Sequence, residues 1–273
     1  MTLAESLRRA QALGLARIDA QLLHLFALDR PLHERAWLIA HDTVELDTQA
    51  LARLEPLLLR RAAGEPLAYI TGVKEFFGLP LQIDARVLDP RPDTETLVEW
   101  ALELLPEGQT RCVLDLGTGS GAIALALQQA RPEVEVHAVD ASADALAVAR
   151  ANAQQLGLSV HFIHSDWLAS VSGRFDVIVS NPPYIAQDDP HLAALTHEPL
   201  SALASGADGL DDIRRIIAQA PGNLLAGGWL LLEHGHDQAE AVQALFTQAG
   251  GWQAVQSRTD LAGMTRCTGA QRL

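Results

Sequence analysis

The chain has 273 residues, 48% hydrophobic and 20% charged, with a formal net charge of −14. This composition belongs to a globular chain with ample core material and argues against a disordered or fibrous one. The negative charge repels nucleic acid, and the longest apolar run, Leu224–Leu232, is far below the roughly 20 residues that cross a bilayer.

Cys112 and Cys267 are the two cysteines. They form no CxxC and no metal-binding spacing, which fits a reducing compartment and gives no expectation of a metal. The first residues, "MTLAESLRRAQALG", lack the continuous apolar core of a signal peptide. A cytoplasmic protein is expected.

Residues 1–70 carry only helical spacing. "LAESLRRAQALG", "RIDAQLLHLFALD" and "DTQALARLEPLLLRRAAG" repeat apolar residues every three or four positions. A small helical bundle is expected there, with Arg53, Arg60 and Arg61 as a basic patch on its last long helix. Residues 71–90 change texture, with Gly72 and Gly78 between short β-prone runs, and predict one or two hairpins as a connector. From residue 91 to 273 strands and helices alternate. "RCVLDLG", "EVHAVD", "VHFIH", "FDVIVS" and "GWLLLEHG" read as strands. "GAIALALQQA", "ADALAVARANAQQLG", "DDIRRIIAQAPGNLL" and "DQAEAVQALFTQAG" read as helices between them. The alternation predicts an α/β domain with a mostly parallel sheet covered on both faces. "WQAVQSR" and "TRCTGAQRL", joined by a short link, suit an antiparallel pair at one edge.

Two motifs carry chemistry. In "VLDLGTGSGAIALAL" a strand ends at Asp115 and Gly117, Gly119 and Gly121 lead into a helix. Glycines at such a turn let the backbone approach a ligand. Asp140 ends the next strand, where a carboxylate can accept both hydrogen bonds of a ribose diol. The spacing is GxGxG instead of the dinucleotide GxGxxG, and Asp115 would oppose a pyrophosphate. It would suit a cationic amine, which favours S-adenosylmethionine over NAD.

The second motif is Asn181-Pro182-Pro183-Tyr184, at the end of "FDVIVS". By the sheet rule this end opens onto the same crevice as the glycine loop. The two prolines have no N–H, so the backbone offers acceptors without competing donors. Asn181 adds a side-chain carbonyl and Tyr184 a flat face. Such a loop suits a planar –NH2 group, held by Asn181 Oδ1 and the Pro182 carbonyl with its nitrogen aimed at a methyl donor. Histidines 161 and 164 read as strand and strand-end residues, histidines 234 and 236 flank a glycine after a strand without the further ligands a metal site needs, and Trp100 reads as helix-to-sheet packing.

These motifs, with "EPLSALASGADGL", "GEPLAYITGVKEFFGL" and "PRPDTETLVE", resemble the HemK/PrmC family of N5-glutamine methyltransferases acting on peptide chain release factors. The resemblance covers nearly the whole chain. It implies a class I S-adenosylmethionine-dependent methyltransferase fold with a seven-stranded, mostly parallel sheet, and S-adenosylhomocysteine as the other product. By motif match Gly117, Thr118, Gly119, Ser120 and Gly121 would cradle the methionine portion, Asp140 the ribose, and Trp167 would lie beside the adenine. Asn181, bordering the cofactor, would hold the substrate glutamine of a Gly-Gly-Gln motif together with Pro182, Pro183 and Tyr184. The N-terminal helices would dock the release factor, with no direct nucleic acid and no membrane involved. Asp89, Asp93, Ser165 and His234 depart from the family pattern.

The readings weighed against this are glutamine methylation of a ribosomal protein, amino-methylation of adenine or guanine in nucleic acid, and a non-catalytic S-adenosylmethionine-binding protein. Nucleic-acid enzymes need a positive track, whereas residues 1–100 carry 11 basic against 15 acidic side chains and the remainder 9 against 19.

Overall fold

The computed structural model describes residues 1–273, which fall into two compact units, Met1–Val73 and Lys74–Leu273. The first is entirely helical: α1 (Leu3–Ala12), α2 (Arg17–Ala27), α3 (Arg35–Ala40), α4 (Thr48–Ala62) and α5 (Leu67–Thr71). Thr2 starts α1 with a reciprocal cap, accepting from the Glu5 N–H while Glu5 accepts from its own. Asp47 caps α4 through the Ala50 N–H. The apolar stripes meet in one core around Leu3, Leu23, Leu25, Leu38, Leu54 and Leu58. The basic patch is neutralised within the unit: Arg53 pairs with Asp29, Arg60 with Glu65 and Arg61 with Asp19.

A single hairpin follows, β1 (Val73–Phe76) and β2 (Leu79–Gln82). The α/β region then runs α6 (Glu95–Leu104), β3 (Cys112–Leu116), α7 (Ala122–Ala130), β4 (Glu135–Asp140), α8 (Ala143–Leu156), β5 (His161–His164) and β6 (Phe175–Ser180). It ends with α9 (Asp211–Gln219), β7 (Leu224–Glu233), α10 (Ala239–Ala249), β8 (Trp252–Thr259) and β9 (Thr265–Arg272). The strands form one seven-stranded sheet in the order β5-β4-β3-β6-β7-β9-β8. The first five are parallel, and β9 inserts antiparallel between β7 and β8. This is the expected class I methyltransferase sheet. The chain order reverses between β3 and β6, so a crevice opens beyond the carboxyl ends of these strands.

One expected helix is shorter than its sequence pattern. "DDIRRIIAQAPGNLL" reads as helical to Leu225, but α9 stops at Gln219 and Leu224 already pairs with Phe175 in the sheet. Pro221 donates no N–H and ends the helical ladder in a short 3-10 turn. Trp100 packs as expected: it is buried on α6 against Trp229, and a Cβ at Gly269 would sit 2.7 Å from its ring.

Candidate functional site

The glycine loop is held from both sides. Gly117, Gly119 and Gly121 have φ of +72°, +54° and +85°, the left-handed region that side chains avoid. The N–H groups of Gly117 and Thr118 both donate to the Val139 carbonyl, each at 2.8 Å. Asp140 ties down the next residue, accepting from the Gly119 N–H at 2.9 Å through Oδ2 and from the Ser142 N–H at 2.8 Å through Oδ1. A carboxylate has about four acceptor sites, so Asp140 keeps capacity for a diol. Below the loop, Asp115 is fully buried; its Oδ2 accepts from the Thr118 hydroxyl at 2.6 Å and the Ala124 N–H at 3.3 Å. Its Oδ1 is buried without a partner, and desolvation raises the carboxyl to about 7.

Trp167 stands over this loop. A Cβ on Gly117 would lie 3.3 Å from its ring, so only glycine lets the backbone and indole come this close. Its φ is +49°, strained for a bulky residue. The indole Nε1 donates to Asp212 at 3.0 Å, and Asp212 is fixed in turn by the Ser205 hydroxyl at 2.7 Å.

A cleft of about 320 Å³ runs along these groups, lined by Gly117, Gly119, Asp140, Trp167, Asn181 and Pro183 among others. A second cavity of about 110 Å³ lies beside it, with Leu88, Arg91, Tyr184, Leu195 and Leu203 in its wall. Leu88, Asn181 and Ala202 line both. Asn181 therefore sits where the two cavities meet.

The asparagine is oriented. Its Nδ2 donates to Thr94 Oγ1 at 3.2 Å, which leaves Oδ1 as the free edge of the amide. Tyr184 donates its hydroxyl to Glu233 Oε1 at 3.4 Å, while Glu233 Oε2 is buried without a partner. Glu233, at the end of β7, is 1% exposed. Desolvation pushes it up to about 7, and the Thr94 hydroxyl and the Arg266 charge pull the other way. Burial and the nearby Glu233 charge also raise the Tyr184 phenol, so it stays protonated and donates. Neither Asn181 Oδ1 nor the Pro182 carbonyl accepts a hydrogen bond from within the chain. Gln238 closes the loop from behind, donating to the Tyr184 carbonyl at 3.0 Å. A Cβ at Gly209 would lie 2.2 Å from that carbonyl oxygen.

The expected site residues divide by position. Gly117, Gly119, Asp140, Trp167, Asn181 and Pro183 line the larger cleft, and Tyr184 lines the smaller one. Asp115, Thr118, Ser120, Gly121 and Pro182 line neither; the first four shape the glycine turn from beneath. Thr94, Glu233, Asp212 and Gln238 escaped the sequence reading, because each acts through a partner at least 45 residues away. The departures from the family pattern have local partners. Buried Asp89 pairs with Lys74, the only lysine, at 3.3 Å, and Asp93 pairs with Arg266 at 3.0 Å. Ser165 accepts from the Ser170 N–H, and His234 is buried against Thr268 Oγ1.

Known families and proteins match the chain along almost its whole length. Residues 93–255 match the methyltransferase small domain, and residues 2–72 match the PrmC N-terminal domain. The release factor glutamine methyltransferase of Bordetella pertussis is 50% identical over 260 residues, covering 94% of this chain and 95% of that one. The Escherichia coli enzyme of the same name is 44% identical over 252 residues, covering 91% and 90%. A methyltransferase from Pyrococcus furiosus shares the fold at a TM-score of 0.54 and 19% identity, covering 80% of this chain and 96% of that one. With both domain models matched in order and relatives at this identity aligned almost end to end, the chain belongs to the release factor glutamine methyltransferase (HemK/PrmC) family.

Proposed function

We propose that this protein transfers a methyl group from S-adenosylmethionine to the side-chain amide nitrogen, N5, of the glutamine in the Gly-Gly-Gln motif of peptide chain release factors. The observation that carries the reading is the junction of two cavities at one oriented asparagine.

The larger cleft suits S-adenosylmethionine. Asp140 offers spare acceptor capacity for a ribose diol, the glycines leave the loop backbone open to approach, and Trp167 gives a flat wall. The unpartnered Asp115 oxygen beneath the loop lacks what a cationic amine nearby would supply, a compensating charge. When bound, this cofactor supplies an electrophilic methyl group on a sulfonium.

The chain's own residues act on the amide. Asn181 Oδ1, where the two cavities meet, holds one N–H of the amide. The Pro182 carbonyl next to it in the chain takes the other although Pro182 lines neither cavity wall, and Tyr184 packs on the amide plane. Leucines 88, 195 and 203 suit the glutamine methylenes. An amide nitrogen is a poor nucleophile because its lone pair is delocalised, so fixed position and fixed dipoles carry the rate. Thr94 and Glu233 are positioning residues. Thr94 Oγ1 accepts from Asn181 Nδ2, so the carbonyl edge of the amide must face the guest, and the buried Glu233 carboxyl stands behind Thr94. The alkylated nitrogen is strongly acidic and passes its extra proton to water, so no strong base is needed, and no histidine lines either cavity.

The helical unit is the proposed docking region for the release factor, residues 71–90 the connector and residues 91–273 the methyltransferase domain. A cytoplasmic enzyme that makes no direct nucleic-acid contact follows from the substrate and the net charge of −14. The test is transfer of labelled methyl to intact release factor, to its Gln-to-Ala variant and to DNA. Label on the intact protein alone supports the reading; label on DNA, or label indifferent to the glutamine, overturns it.

A further inference from the structure

The opposite edge of the sheet carries a second cluster. Cys112, Glu135 and His161 are the first residues of β3, β4 and β5, so they lie at the opposite end of these strands from the cleft, roughly 10–16 Å away. Register brings Cys112 beside Glu135 and His137 beside His161, and Glu135 and His137, two apart on β4, share a face. The side chains converge on Glu135. Its Oε1 lies 2.8 Å from His137 Nε2 and 3.8 Å from His161 Nε2, and its Oε2 accepts from Cys112 Sγ at 3.7 Å. One ligand atom from each of Glu135, His137 and His161 lies within 4.8 Å of the others.

We propose that Glu135, His137 and His161 bind a divalent transition-metal ion of the zinc class. Two imidazoles and a carboxylate match the donor set of three-ligand zinc sites, with water completing the shell, and disfavour magnesium or calcium, which take oxygen ligands. Zinc–ligand bonds of about 2.0–2.2 Å place ligands about 3.3 Å apart, so the observed spacing closes by side-chain rotation without backbone movement. The rings are partly preorganised. His137 lies against His161 at 4.8 Å between centroids and meets the edge of Phe175 at 5.2 Å. Glu135 and His161 are 48% and 60% exposed, so an ion can enter from solvent. The ion would tie β4 to β5, and Cys112, bonded to the carboxylate's other oxygen, would report its arrival. This site is independent of the methyl-transfer reading.

The test is calorimetric titration of the tag-free, chelator-treated chain with zinc chloride, and with cobalt chloride for its visible spectrum. One equivalent is expected to bind, to raise the unfolding temperature and to slow alkylation of Cys112; Cys267, fully buried, serves as an unreactive control. His161→Ala and Glu135→Gln, at exposed positions that tolerate change, are each expected to weaken binding at least about tenfold, while His191→Ala leaves it unchanged. Absence of saturable binding, or equal affinity in His161→Ala and the wild-type chain, would overturn the proposal.

Discussion

The glycine loop and the Asn-Pro-Pro-Tyr loop stand side by side on the same sheet edge, and each rests on a buried carboxyl group raised to about 7. They differ in how that group reaches its loop. Asp115 bonds to Thr118 and Ala124, three and nine residues on, and so braces its own turn. Glu233 accepts from Tyr184, 49 residues away in sequence, and the Thr94 hydroxyl holds its carboxyl down, so three segments meet around it. The first loop is a local device that shapes a backbone. The second is a tertiary device that aims a side chain.

That difference decides what each change should do. Asn181→Ala removes the clamp itself and is expected to lower kcat by at least about 100-fold while cofactor affinity stays within about threefold; single-turnover kinetics with equilibrium binding check both. Thr94→Val removes only the aim. A kcat loss of about 10–100-fold with little change in KM is expected, with recovery in Thr94→Ser; equal loss in Val and Ser variants would break the positioning account. Gly117→Ala strikes the other loop. The left-handed backbone and the nearby indole are expected to weaken cofactor binding about tenfold, read by calorimetry, with smaller loss of kcat at saturation.

A further effect is on pH-dependent stability. In the unfolded chain Asp115 and Glu233 lose their protons near 4, but in the folded chain near 7. The folded state therefore binds more protons between these values. The stability these groups contribute is fully present below about 4 and is lost as pH rises through 7. Carboxylates held low by arginines, such as Asp208 at about 2, act the opposite way, but below that window. Denaturant midpoints at pH 5 and 8 should converge in Asp115→Asn and Glu233→Gln relative to the wild-type chain.

Legibility followed the same divide. Asp115, the three glycines and Asp140 could be read from sequence because strand, turn and helix are contiguous and their spacing has one geometric solution. Asn181 and Tyr184 were legible as a proline-marked strand end. Thr94 and Glu233 were not, because a threonine before a helix and a glutamate ending an apolar strand have no distinctive neighbours. Only the crossing of β7 beside β6 brings Glu233 to Tyr184. Pro221 shows the converse: the helical pattern of α9 ran on past it, while sheet pairing claimed Leu224. The Glu135, His137 and His161 cluster also escaped, since no spacing rule links ligands on two parallel strands.

The central claim is that the amide nitrogen of one glutamine meets the methyl donor at Asn181. Fragment-ion mass spectrometry of a release factor after incubation with this protein and S-adenosylmethionine tests it directly. One methyl group on the side-chain nitrogen of the Gly-Gly-Gln glutamine, absent with Asn181→Ala, is the expected result. Methylation at any other residue, or at the same residue with Asn181→Ala at the wild-type rate, would contradict it.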